Sequence, residues 1–244
     1  MTNKYYQQFS NIFAHSSVPW QQEILKQFLN KAEVTDSYLI ADIGSGVGNN
    51  IQTILGFTRQ ITAIDISPGA LSMLKKRYAG IDSLSIIQAD ATKLPFRAET
   101  FDAVILTEIL EHCENPAKAL SESLRILKKG GHIIMSTPNY FNPAGLWKKI
   151  CDLVNPASTW DAWGNHEKGV ENFFTSFKLS NLAKSQDIKI VTELGGDIIR
   201  SWLPFFRKQY RFIDRHPFLR VGKMWPIKYL LMNYFILGKK DDIN

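Results

Sequence analysis

The chain has 244 residues, 45% hydrophobic and 21% charged, a balance ordinary for one globular domain with a sizeable core. Two cysteines, Cys113 and Cys151, exclude a disulfide framework and show no metal-ligand spacing, so no metal is expected. The N-terminus lacks the basic start and apolar run of a signal peptide, and no stretch approaches the roughly 18 apolar residues of a spanning helix, so a soluble cytoplasmic protein is expected.

Strand-like apolar runs alternate with amphipathic stretches from about residue 20 to 197, a pattern that predicts βα units and a parallel sheet covered on both faces. A helix with Pro at its first position opens at Pro19. Strands are predicted at Tyr38–Ile43, Ile61–Ile66, Ser85–Asp90 and Phe101–Leu106, with a helix after Pro68 that places Leu71, Leu74 and Tyr78 on one face. A helix from Pro116 runs to Lys128-Lys129-Gly130-Gly131, where lysines followed by glycine read as a stop. The fifth strand is His132–Thr137. Residues 138–172 read as irregular and aromatic, followed by a helix over 175–185, a strand Ile188–Leu194 and a last strand Tyr234–Lys240. One domain over 1–244 is expected, with an N-terminal helical lid (1–30), a substrate insertion (138–172) and a basic aromatic insertion (198–228).

The most informative segment is Asp42-Ile43-Gly44-Ser45-Gly46-Val47-Gly48. An apolar strand ends in an acid, and three glycines at every second position lead into a helical pattern. Glycines there allow unusual backbone angles and let the main chain approach a ligand. The helix start offers free N–H groups. The spacing is G-x-G-x-G and not the G-x-G-x-x-G of dinucleotide sites. Asp65, 21 residues after Gly44, ends the second strand, where two carboxylate oxygens suit a ribose diol. Asp90 ends the third in Ala89-Asp90-Ala91, placed to accept from an adenine amino group. Asp42 is placed to accept from an ammonium or a water bound to it. All three fall on the carboxyl edge of the sheet, where open α/β sheets bind ligands. Asp102 opens the fourth strand, far from that edge, and reads as structural.

This order of motifs resembles the class I S-adenosylmethionine-dependent methyltransferases, in particular the small-molecule enzymes of the ubiquinone/menaquinone-biosynthesis-like family. The resemblance covers roughly 39–197. It includes Ile64-Asp65-Ile66-Ser67, Ala89 to Phe96, Phe101-Asp102-Ala103-Val104, Leu110-Glu111-His112, Leu124 to Gly131 and Ser136-Thr137-Pro138-Asn139. It implies an α/β, Rossmann-like three-layer sandwich with a seven-stranded, mostly parallel sheet in the order 3-2-1-4-5-7-6, strand seven being antiparallel. It implies S-adenosyl-L-methionine as cofactor, held by Asp42, Gly44, Ser45, Gly46, Gly48, Asp65, Ile66, Asp90 and Ala91. Thr107 and Glu108, just after strand four, would flank the methionine part. The nucleobase amino-methyltransferases carry an Asn/Asp-Pro-Pro-aromatic motif after that strand. Here Thr107-Glu108-Ile109-Leu110 stands in its place, so nucleic acid is not expected as substrate.

Methyl transfer from a sulfonium is an in-line displacement, for which alignment and exclusion of water supply much of the acceleration. A base is needed chiefly when the acceptor is a hydroxyl. His112 and His166 are the candidate bases, since imidazole titrates near neutrality. Each has a plain alternative as a packing or loop residue. Asn139, Tyr140 and Trp163 are candidate acceptor contacts. The expected acceptor is a small molecule, with a hydroxyl oxygen on an apolar or aromatic compound as first choice and N- or C-methylation of a small molecule or lipid as the alternative. An NAD-dependent oxidoreductase and a non-catalytic cofactor-binding protein are the competitors from other classes.

The net charge of +6 is unevenly spread. Residues 200–244 carry ten Lys/Arg against three Asp, a net of +7, and the first 199 residues carry 19 against 20, a net of −1. Within 199–228 these cations interleave with Trp, Phe and Tyr. That mixture suits an anionic membrane surface or a lipidic substrate, a flap over the acceptor, or, less well, RNA. The sequence does not indicate an oligomeric state.

Overall fold

A computed structural model describes residues 19–156, 158–161, 164–167, 170–197 and 221–241. In chain order the elements are α1 (Pro19–Lys31), β1 (Leu39–Ile43), α2 (Ile51–Ile54), β2 (Gln60–Asp65), α3 (Pro68–Arg77), β3 (Leu84–Gln88), β4 (Phe101–Thr107), α4 (Pro116–Ile126), β5 (Leu127–Pro138), α5 (Pro143–Val154), β6 (Ser158–Asp161), β7 (Gly164–Glu167), α6 (Ser176–Lys184), β8 (Ile188–Gly196) and β9 (Asn233–Lys240). Seven strands form one sheet in the order β3-β2-β1-β4-β5-β9-β8, and β6 and β7 form a separate hairpin. Numbered within the sheet this is 3-2-1-4-5-7-6. β9 is antiparallel to both its neighbours and the other pairs are parallel, as the resemblance implied.

Alternation along the strands builds two cores, one on each face. Ala41, Ile43, Val104, Leu106, Ile133 and Met135 point to one side, where they meet Leu120 and Leu124 of α4 and Leu179 and Ala183 of α6. Ile40, Ala103, Ile105 and Ile134 point to the other and meet Ile24, Leu25 and Phe28 of α1 and Leu74 of α3. The central strands are therefore apolar on both faces over runs such as Val104–Leu106, with Asp42 and Thr62 among the buried polar exceptions.

Helix starts follow one local device. Ser67, Asn115 and Asn142 cap α3, α4 and α5 by accepting from the main-chain N–H three residues on, and each is followed by a proline that needs no partner for its missing N–H. Thr175 caps α6 in the same way, without the proline.

Two stretches differ from the sequence reading. The helix before β5 stops at Ile126, and β5 begins at once at Leu127. Lys128-Lys129-Gly130-Gly131 therefore form an irregularity inside the strand: Leu127 pairs with Phe101 and His132 with Ala103, so the register slips between them. Gly130 sits at φ 68°, and the Lys128 ammonium donates to the Asp102 carboxylate at 2.6 Å. Asp102 also accepts from the Leu39 N–H at 2.9 Å, a structural role at the far end of β4. The second difference is the stretch 138–172, which holds α5 and the β6–β7 hairpin and is not irregular throughout. Residues 1–18 of the expected lid and 198–220 of the basic insertion lie outside the described residues.

Candidate active site

The carboxyl edge of β1, β2, β4 and β5 borders a cavity of about 970 Å³. Its floor is the loop after β1. Gly44 and Ser45 donate their N–H groups to the Ile64 carbonyl at 2.8 and 3.0 Å, which fastens the bend to β2. Gly44 and Gly46 lie at φ 71° and 54°, in the left-handed region that favours glycine. A Cβ on Gly44 would lie 2.5 Å from the Ile109 side chain, whereas one on Gly46 would meet nothing within 4 Å. Gly46 thus presents main chain to open space. Gly48 serves the loop from behind: it accepts from the Tyr78 hydroxyl at 2.8 Å and is not on the cavity wall.

Asp65 lines the cavity at the end of β2 and accepts from the N–H groups of Gly46 and Ser67, both at 2.8 Å. Burial pushes its carboxyl above the usual range, against the pull of those two donors. Ile66, 45% exposed, and Ala91 lie on the same wall. Asp90 stands two residues past the end of β3, in a turn where its Oδ1 accepts from the Thr92 N–H and hydroxyl at 2.7 and 2.8 Å.

Asp42 is fully buried and stands behind the wall. One of its oxygens accepts from Asn50 at 3.1 Å, and the other has no hydrogen-bond partner among the described residues. Burial, with repulsion from Asp65 added, pushes its pKa up to about 7 in spite of Asn50. The Asn50 amide also donates to the Thr107 hydroxyl at 2.8 Å. Asn50 thereby joins the ends of β1 and β4, and Asp42 reaches the cavity through it. Sequence reading passed over Asn50, which sits just past the glycines; its offset of eight residues from Asp42 across a loop has no periodic signature.

Beyond Thr107 the chain kinks: Glu108 adopts φ 55°, uncommon for a residue with a side chain. Its carboxylate accepts from the Ser136 hydroxyl at 2.6 Å and from Asn233 at 2.8 Å. Burial pushes its pKa up to about 7. A short 3-10 turn, Leu110–His112, follows. Glu111 is buried, with one oxygen unpartnered among the described residues, and its pKa is raised by burial first and by the neighbouring Glu108 second. His112 lines the cavity, its Nδ1 3.2 Å from the Val170 carbonyl and its Nε2 3.9 Å from Glu111.

Tyr140 lines the far side and donates its hydroxyl to Glu171 at 2.6 Å. Glu171 is also paired at 2.9 Å with Lys148, which is 1% exposed and lies over the Tyr140 and Phe173 rings. Asn139, expected at the acceptor, lies outside the cavity wall. Its amide donates to the Tyr229 and Leu231 carbonyls, and its Oδ1 accepts from the N–H groups of Phe141 and Ser176. All four positions go to main chain, so Asn139 ties three segments together. His166 pairs with Thr159 in the β6–β7 hairpin, and Trp163 lies outside the described residues. Trp20 and Gln22 of α1, and Asn233 at the start of β9, complete the wall. Among the described residues no group of His, Cys, Asp and Glu could hold a metal ion.

A seven-stranded sheet of this order, with a glycine bend and strand-end acids around one cavity, is the arrangement that the resemblance to class I, S-adenosylmethionine-dependent methyltransferases implied. Residues 41–135 match the family described as "Methyltransferase domain". The chain is 38% identical over 121 residues to a demethylmenaquinone methyltransferase of Clavibacter sepedonicus, covering 48% of each chain. It is 29% identical over 135 residues to the chloroplastic 2-methyl-6-phytyl-1,4-hydroquinone methyltransferase 1 of Oryza sativa subsp. japonica, covering 52% of this chain and 40% of that one. The chain thus spans about half or less of the length of these relatives. An S-adenosylmethionine-dependent methyltransferase from Mesorhizobium loti superposes with TM-score 0.58 at 15% identity, over 87% of this chain and 95% of that one. The [4+2]-cyclase SpnF does so with 0.63 at 18%, over 90% and 80%. At those identities the two structures share the fold alone.

The residues present fit S-adenosylmethionine. Gly46 leaves room for close approach, and Asp65 offers a carboxylate at the loop.

Proposed function

We propose that the chain methylates a hydroxyl oxygen on an apolar or aromatic small molecule. The observation that carries this reading is His112 on the cavity wall beside Glu111. A carbonyl only accepts, so the contact with Val170 puts the ring hydrogen of neutral His112 on Nδ1 and leaves the lone pair on Nε2. That nitrogen takes the hydroxyl proton, and the nearby Glu111 carboxyl, as it ionises, favours the imidazolium that forms. Bound S-adenosylmethionine supplies an electrophilic methyl on a sulfonium.

The glycine loop with Ser45, Asp65, Ile66, Asp90 and Ala91 holds the nucleoside side, and Thr107 and Glu108 the methionine side. Asp42 and Gly48 support that loop from behind. Tyr140, steadied by Glu171 and Lys148, meets the acceptor. Quinone- and sterol-type acceptors in the names of relatives, such as the "Sterol 4-C-methyltransferase strm-1" of Caenorhabditis elegans, support an apolar or lipid-linked acceptor. With it goes a place in the cytoplasm, at the inner membrane face.

A radiolabelled-methyl assay against phenols, quinol precursors, amines and RNA tests the reading. Label is expected on phenols or quinol precursors, with His112→Ala abolishing the rise of kcat with pH near neutrality. Label on amines or RNA alone, or an unchanged pH profile in His112→Ala, overturns it.

A further inference from the structure

Helix α5 is amphipathic in reverse. Its inward side carries Lys148, 1% exposed, paired with Glu171 and Asp152. Its outward side carries Leu146, Ile150, Leu153 and Val154, which are 62, 45, 74 and 80% exposed. These four stand at i, i+4, i+7 and i+8, one helical face. Trp147 and Lys149 flank the stripe. Single exposed apolar residues need no explanation, but a contiguous stripe backed by a buried cation marks a contact surface.

Topology puts this stripe beside the cavity. Pro138, which ends β5 just before α5, pairs with Asn233, the first residue of β9, and both line the cavity. Before β9, Trp225 at 79% and Met224 at 52% stand exposed next to Lys223, while 227–232 turn back into the protein. Two apolar elements therefore leave the sheet at the edge where ligand enters. Together, residues 139–156 and 221–232 hold four lysines and one aspartate. Lys148 and Lys228 are paired internally, which among the described residues leaves Lys149 and Lys223 to meet an outside anion.

We propose that this edge docks on an anionic lipid bilayer, with the outward face of α5 inserted at headgroup level and Met224–Trp225 as a second anchor. Leu and Ile enter the acyl boundary, Trp sits at the interface, and lysines contact lipid phosphates. The inference rests on the reading of an apolar acceptor, since docking there brings the cavity mouth to the phase that dissolves such a compound.

The test is co-sedimentation of the full chain with phosphatidylcholine vesicles, with and without about 30% phosphatidylglycerol as anionic lipid. It compares wild type with the Leu146→Asp/Leu153→Asp variant. Calorimetry with S-adenosylhomocysteine, thermal melts and light scattering run alongside. Wild type is expected to partition onto the anionic vesicles, and the variant about tenfold less, with unchanged cofactor-product binding and melting temperature. Equal partitioning of the two, or none by wild type, overturns the proposal. So does a wild-type dimer that the variant dissolves, which makes a second copy the occupant, or a lower melting temperature, which shows the face covered by the chain itself. Loss of S-adenosylhomocysteine binding by wild type would instead overturn the cofactor site.

Discussion

Asp42 makes the stability of the unliganded protein depend on pH in a direction opposite to that of a salt-bridged acid. Its folded pKa of about 7 exceeds the ordinary 3.8 because burial outweighs the one hydrogen bond from Asn50. The folded chain therefore holds the proton more tightly than the unfolded chain, and stability falls as pH rises from about 4 to 7, then levels off. A shift of about 3 units corresponds to a ceiling of roughly 4 kcal/mol, at 1.36 kcal/mol per unit. About 2 kcal/mol of that accrues between about pH 5.5 and pH 8. Asp42→Asn keeps an oxygen for Asn50 and removes the ionisation. It leaves an amide in place of the unpaired oxygen, at a cost of about 1–3 kcal/mol that does not vary with pH. The informative quantity is thus the slope. Thermal melts without cofactor at the two pH values should show the wild type losing about 4–8 °C more than the variant on going to the higher pH. Parallel slopes would refute the claim that Asp42 is strained by burial.

Other substitutions test separate parts of the site. Gly46→Ala forces a side chain onto φ 54° and into the open cavity side; calorimetry should show S-adenosylhomocysteine binding weakened about tenfold or more, with about 1 kcal/mol of stability lost. Asp65→Ala removes the acceptor for Gly46 and Ser67, and binding should weaken about 100-fold, two charge-assisted bonds being lost. Asn139→Ala strands two carbonyls and two N–H groups; it should cost about 2–4 kcal/mol in denaturant unfolding while the dissociation constant for S-adenosylhomocysteine stays within about twofold.

The sheet was legible because its signals are local. Buried parallel strands are short apolar runs, and the glycine bend and the acids ending β1 and β2 sit at fixed steps from them. Helix ends were legible where a cap and proline coincide, as at Asn115-Pro116. The start of β5 was not: lysines followed by glycines read equally as a helix stop and as an irregular strand, and only pairing with Phe101 and Ala103 decides. Helix α5 carried the same cap and proline in Asn142-Pro143, and a helical spacing of Leu146, Ile150, Leu153 and Val154, but the aromatic-rich stretch around it read as irregular. Asn139 was placed at the acceptor because it follows a strand end. Its four main-chain partners come from residues 37 and about 90 positions away as well as from its own loop, and no spacing reveals them. Asn50 and Asn233 were missed for the same reason, each meeting its partners across strands.

The central claim is that the glycine bend and Asp65 together form a nucleoside site for a sulfonium cofactor. Titration of the folded chain with S-adenosylmethionine, S-adenosylhomocysteine and NAD in a calorimeter tests it most directly. Saturable heat at one site per chain with the first two and none with the third is the expected result. Saturable binding of NAD, with no heat from either sulfur nucleoside, would contradict it.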